Sequence, residues 1–116
     1  MLRGEVRLVD FEPARESEVT GQRRPAVIVS NDGANRSAAR HGRGVVTVVP
    51  LTTNVERVYP FQVLLPASEC NLPRDSKAQT EQIRAVAVER LERRIGMLPP
   101  PFMRRLDDAL RLHLDV

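Results

Sequence analysis

Hydrophobic and polar positions change rhythm several times along the chain. Val6, Leu8 and Phe11 nearly alternate with charged residues, the two-residue period of a half-buried strand over about 3–10. Residues 12–23 hold Pro13, Gly21 and several charges, which predicts a long polar loop. Residues 25–30 form an unbroken apolar run of strand length, and Asn31-Asp32-Gly33 ends it with turn chemistry. Small and basic residues fill 33–44, predicting a mobile loop or at most one helical turn. Residues 45–49 are β-branched throughout, a strand that Pro50 is expected to close. Another strand is expected over 59–65, closed by Pro66, with irregular chain over 67–78. A further strand follows over 82–88, with Ile83, Ala85 and Ala87 on one face. Residues 89–94 suit only a turn or two of helix before Gly96.

After this the period changes to three and four. Phe102, Leu106, Ala109, Leu110 and His113 make one stripe of a helix, and Pro99 to Pro101 sit where a first turn tolerates proline. Short strands followed by one good helix predict an α+β fold in a single domain over 1–116. The expected form is a small, strongly bent antiparallel β-barrel with short helices and a C-terminal α-helix.

Composition narrows the chemistry. Among 116 residues there are four aromatic ones, Phe11, Tyr59, Phe61 and Phe102, so the core has to be built from aliphatic side chains. The formal net charge is +3, and Lys77 is the one lysine among the cations. Arginine's planar fork matches phosphate, which favours a nucleic-acid partner. The single cysteine, Cys70, fits a reducing compartment. Charges at Arg3, Glu5, Arg7 and Asp10 break any apolar leader, and no run approaches a membrane span, so a cytoplasmic protein is expected.

Two distant histidines and one cysteine give no credible set of metal ligands, and the scattered glycines form no nucleotide-cradling loop. His41 falls in the basic loop and His113 near the end of the helix stripe, so neither suits a catalytic triad. One reaction needs no metal because its substrate carries the nucleophile. In RNA cleavage the ribose 2′-hydroxyl attacks the adjacent phosphorus. The protein has to take that proton, steady the charged phosphorane and protonate the leaving 5′ oxygen. A carboxylate, an arginine and a hydroxyl suffice, and Glu18, Arg24 and Thr52 stand at element boundaries.

Here motifs add up. Arg24-Pro25-Ala26-Val27-Ile28-Val29-Ser30-Asn31-Asp32 resembles a strand of the MazF/PemK/Kid toxin family. Ser17-Glu18 resembles the family's Gly-Ser-Glu loop. Val49-Pro50-Leu51-Thr52-Thr53 is similar to its Val-Pro-x-Thr-[Thr/Ser] strand end, and Glu81-Gln82-Ile83-Arg84 to its Glu/Asp-Gln-x-[Arg/Lys] strand. Tyr59 to Val63 also fits. The resemblance spans essentially the whole chain, with two departures. One extra residue separates Glu18 from Arg24, and Gln79 stands where some relatives carry a second catalytic arginine.

The resemblance implies an SH3-like barrel of the MazF/Kid/CcdB type acting as a metal-independent endoribonuclease toxin on single-stranded RNA. It implies no cofactor. Arg24, Thr52 and Glu18 would be catalytic, with Arg24 on the scissile phosphate, Thr52 on a non-bridging oxygen and Glu18 as general base. Arg23, Asn35, Arg36, Thr53, Glu81 and Gln82 would bind RNA. A homodimer would line a basic groove with Arg15, Arg23, Arg36, Arg40 and Arg43, and loops 12–23, 33–43 and 53–58 would set specificity. A cognate MazE-like antitoxin would block the groove with a disordered acidic tail. Two other readings of the same barrel stay open: a gyrase-poisoning toxin, and an RNA-binding module that cuts nothing.

Overall fold

The computed structural model describes residues 1–11 and 23–116. Its first elements are β1 (Glu5–Asp10), β2 (Arg23–Ile28), α1 (Asp32–His41) and β3 (Val45–Thr52). Then come β4 (Gln62–Leu65), α2 (Ala67–Cys70), β5 (Ser76–Gln79) and β6 (Arg84–Ala87). β7 (Leu91–Met97) and α3 (Pro100–Leu114) complete the chain, and 3-10 turns cover Thr80–Gln82 and Val88–Arg90. The strands form one sheet in the order β4-β5-β3-β2-β1-β7, with β6 also on β3, and each pairing is antiparallel.

β3 organises this sheet. One edge pairs with β2, through Ala26↔Pro50, Val27↔Val49 and Ile28↔Val48. The other edge is shared: residues 45–48 pair with β6, and Leu51 and Thr52 pair with β5. Pro50 falls between those two partners, where a strand tolerates a missing N–H. β3 therefore does not close at Pro50, as its sequence suggested, but runs on to Thr52. The sheet ends on β4 and β7 and is open, not a closed barrel.

Both faces of the central strands are covered, which explains their unbroken apolar runs. Val6, Val27, Val49, Leu51 and Leu65 pack with Phe102, Leu106 and Ala109 of α3. On the opposite face Val9, Ala26, Ile28, Val46 and Val48 pack with Ala38 of α1. The α3 stripe thus buries the residues its period selected, while His113 stays exposed.

Several stretches differ from the sequence pattern, among them the strand expected over 59–65, which shortens to Gln62–Leu65. Residues 33–44 are not a loop: α1 starts at Asn31, whose side-chain oxygen accepts from the Ala34 amide at 2.8 Å, and Gly42 ends it with φ 65°. The turn chemistry of Asn31-Asp32-Gly33 was an N-cap. The helical period was hidden because one of its inward positions is polar. Asn35 is fully buried and donates to the Ser30 carbonyl at 2.9 Å, while the Ser30 hydroxyl donates to its Oδ1 at 2.6 Å.

Of residues 89–94, only Glu89 and Arg90 are helical, as the end of a 3-10 turn. From Leu91 onward they belong to β7, an edge strand that takes its structure from pairing with β1. Two of its charges are matched across strands: Arg94 meets Glu5 of β1, and Glu92 meets Arg23 of β2. Finally, 67–78 contains α2 and most of β5, while the strand expected over 82–88 shortens to Arg84–Ala87 behind a 3-10 turn.

Candidate active site

Continuing the β2–β3 register by two residues from Ala26↔Pro50 sets Arg24 opposite Thr52. Directly opposed residues of an antiparallel pair share a face. Arg24, Thr52 and Thr53 accordingly line one cleft of about 180 Å³, with Pro25, Leu51 and Ser76. The walls come from β2, the end of β3 and the start of β5.

Arg24 is half-buried, and its Nη2 donates twice, to the Leu51 carbonyl at 3.0 Å and to Gln79 Oε1 at 2.9 Å. Those two acceptors use both Nη2 hydrogens. Of the five guanidinium donors, Nε–H and the two on Nη1 have no partner among the described residues. Burial lowers the Arg24 pKa from its ordinary value, because desolvation opposes the charge. The group is still a cation at neutral pH. Its acceptors are neutral, so none of the described residues cancels its positive charge.

Thr52 supplies a complementary donor. Its Oγ1 accepts from the Asn54 amide at 3.2 Å, which leaves its own proton to give away. A held cation beside a free hydroxyl, at a strand end open to solvent, is an arrangement that can bind a phosphate and stabilise added charge on it.

Other expected site residues are distributed differently. Glu18 and Arg15 lie outside the described residues. Arg23 is exposed and pairs with Glu92 at 2.8 Å; that hydrogen bond, then the charges of Glu92 and Asp10, raises its pKa. Asn35 spends its amide on Ser30 inside the fold and has no surface to offer a ligand. Arg36 is exposed on α1, which packs near the start of β3. Seven residues of strand at ~3.3 Å each separate that start from Thr52, so Arg36, Arg40 and Arg43 do not join the cleft.

Glu81 is tied into the fold. Its Oε2 accepts from Gln62 Nε2 at 2.7 Å, and Gln62 Oε1 accepts from the Tyr59 amide at 3.1 Å. Its Oε1 is buried with no partner among the described residues. The Thr80 hydroxyl, next in chain, donates to the Phe61 carbonyl, so the 3-10 turn clamps the segment that enters β4. Gln82 is exposed on that turn.

Sequence reasoning missed Ser76 and the contact made by Gln79. Both belong to β5, whose four residues Ser-Lys-Ala-Gln carry too little hydrophobicity to mark a strand. The one available signal was Gln79 itself, an amide at a position where an arginine was looked for.

Comparison with known proteins agrees with the fold. The sequence profile of the PemK-like, MazF-like toxins of type II toxin–antitoxin systems matches residues 2–114. Endoribonuclease MazF9 of Mycobacterium tuberculosis is 58% identical over 116 residues, which is 100% of this chain and 98% of that protein. A solved mycobacterial endoribonuclease in complex with its cognate antitoxin superposes with a TM-score of 0.78 at 27% identity, covering 100% of this chain and 96% of that one. A MazF crystal structure from Deinococcus radiodurans has the same fold, with a TM-score of 0.76 at 23% identity over 100% and 97% of the two chains. A profile spanning nearly every residue and a full-length relative at this identity place the chain in the family of PemK-like, MazF-like toxins of type II toxin–antitoxin systems.

Proposed function

We propose that this toxin is an endoribonuclease that cuts single-stranded RNA in the Arg24–Thr52 cleft without a metal. The observation that carries the reading is the cleft itself: a half-buried guanidinium, paired with no carboxylate among the described residues, beside a hydroxyl with a proton to give. Full-length similarity to a protein named as an endoribonuclease supports the same activity.

In this mechanism the 2′-hydroxyl attacks its neighbouring phosphorus and the phosphate gains negative charge. Arg24 meets that charge with its Nε–H and Nη1 groups, and Thr52 donates to a non-bridging oxygen. Glu18 takes the 2′ proton, a role carried over from the family resemblance. As the cyclic phosphate closes, the bond from phosphorus to the 5′ oxygen breaks and that oxygen takes up a proton from solvent water, so the products are a 2′,3′-cyclic phosphate and a 5′-hydroxyl. Arg23, Thr53 and Gln82 are exposed and lend themselves to contacts along the strand, whereas Asn35 and Glu81 act as internal braces.

Two partners complete the reading. Leu64 and Leu112 are exposed along a largely apolar groove between β4 and α3, and we place the homodimer contact there. A cognate antitoxin with a disordered acidic tail would compete with RNA for the cleft. A solved relative in complex with its cognate antitoxin supports an antitoxin partner.

The test is incubation of purified protein with a long single-stranded RNA in excess EDTA. Cleavage with cyclic-phosphate and 5′-hydroxyl ends is expected, and a 2′-deoxy residue at the cut site should abolish it. Binding without cleavage, or cleavage of the deoxy substrate, would contradict the mechanism. Inhibition of gyrase with intact RNA would replace the function altogether.

A further inference from the structure

We infer that Gln79 is a positioning residue for Arg24, a role that rests on the cleft being the cleavage site. Arg24 starts on β2, yet its guanidinium reaches past the end of β3 to the next strand. On the way Nη2 meets the Leu51 carbonyl, and at the far side it meets Gln79 Oε1. One side chain thus ties three neighbouring strands, β2, β3 and β5, at the point where β3 exchanges β6 for β5.

The Leu51 carbonyl alone would leave the guanidinium free to swing about that single bond. A second acceptor on the same nitrogen fixes the plane of the fork, so that Nε–H and Nη1 point in one direction. Gln79 is itself held, because β5 is paired on both edges and Gln79 sits opposite Gln62 of β4. Gln62 in turn is anchored to Glu81 and to the Tyr59 amide. The aim of Arg24 is therefore set by a chain of contacts that ends in the 3-10 turn.

The amide is chemically suited to this task. A glutamate at position 79 would accept the same hydrogen bond but would pair with the cation and compete with a phosphate for it. Glutamine orients the fork and leaves its charge available. It acts through Arg24 and touches no reacting atom.

The experiment compares wild type, Gln79→Met and Gln79→Glu, isotopically labelled on arginine, with Arg24→Ala to assign the Arg24 signals. Rotation about the Arg24 Nε–Cζ bond is expected to be slow in wild type and in Gln79→Glu, giving separate Nη signals. In Gln79→Met, which keeps the length but loses the acceptor, those signals should merge. On RNA, Gln79→Met should lower kcat by ~10-fold with KM within ~2-fold, the effect of losing one orienting hydrogen bond. Gln79→Glu should instead raise KM. Unchanged Nη signals in Gln79→Met, or wild-type turnover by that variant, would overturn the inference. Wild-type turnover by Arg24→Ala would overturn the functional reading of the cleft, and the Nη signals would still report separately on whether Gln79 holds Arg24.

Discussion

Arg23 and Arg24 are neighbours on one strand, yet the fold treats them oppositely. Arg23 points to solvent and spends its charge on Glu92 at 2.8 Å. Arg24 points into the sheet's cleft, loses part of its hydration and is held there by two carbonyl oxygens. The alternation of side chains along a strand makes this division unavoidable, since adjacent residues face opposite ways. The lesson concerns how a cation is prepared for work. A carboxylate partner gives a surface arginine a stable orientation by cancelling its charge; neutral acceptors give orientation alone.

The largest expected effect follows from removing the held cation. Arg24→Ala should slow single-turnover RNA cleavage by at least ~10², the scale for losing one preorganised charge-stabilising donor. Circular dichroism should show an intact fold. Thr52→Ala comes next, with a loss of ~10-fold, while Thr52→Ser keeps the hydroxyl and should stay close to wild type. A reversed order, with Thr52→Ser as slow as Thr52→Ala, would show that the methyl group and not the hydroxyl matters.

A third substitution separates a brace from a contact. Asn35→Ala removes a fully buried amide and strands the Ser30 carbonyl, so urea unfolding should report a loss of ~2 kcal/mol. At temperatures where the variant is folded, its RNA affinity should match wild type. The smallest effects belong to Arg23. Arg23→Ala and Glu92→Gln break an exposed ion pair, and each should change stability by under ~1 kcal/mol. Arg23→Ala should reduce cleavage by no more than ~3-fold and flatten the salt dependence of RNA binding slightly.

How far the sequence foretold this arrangement depended on whether a residue's environment is local. β2, β3 and α3 were legible because their apolar periods match what they bury: two faces of a sheet, or one stripe of a helix. α1 shows no clear helical period because Asn35, one of its two buried positions, is polar and is satisfied by Ser30, which precedes the helix. β7 was read as helix because Leu-Glu-Arg-Arg has no strand period of its own. Its conformation comes from β1, more than eighty residues away in sequence. At the site, Arg24, Thr52 and Thr53 were found as motif residues before any geometry. Gln79 was noticed only as a missing arginine, because nothing local says that a short polar strand will bring its amide to Arg24. Three arginines grouped with Arg23 by charge, Arg36, Arg40 and Arg43, proved to sit toward the other end of β3.

The contrast between the two neighbouring arginines can be observed without chemistry. Arginine-labelled protein is titrated with a short RNA carrying one 2′-deoxy residue at the cleavage position, which binds but is not cut. The Arg24 Nε resonance should shift saturably in step with RNA binding, while the Arg23 resonance should move little and only at low salt. Saturable movement of Arg23 with an unmoved Arg24 would contradict the account, because the phosphate would then lie against the paired arginine and not the held one.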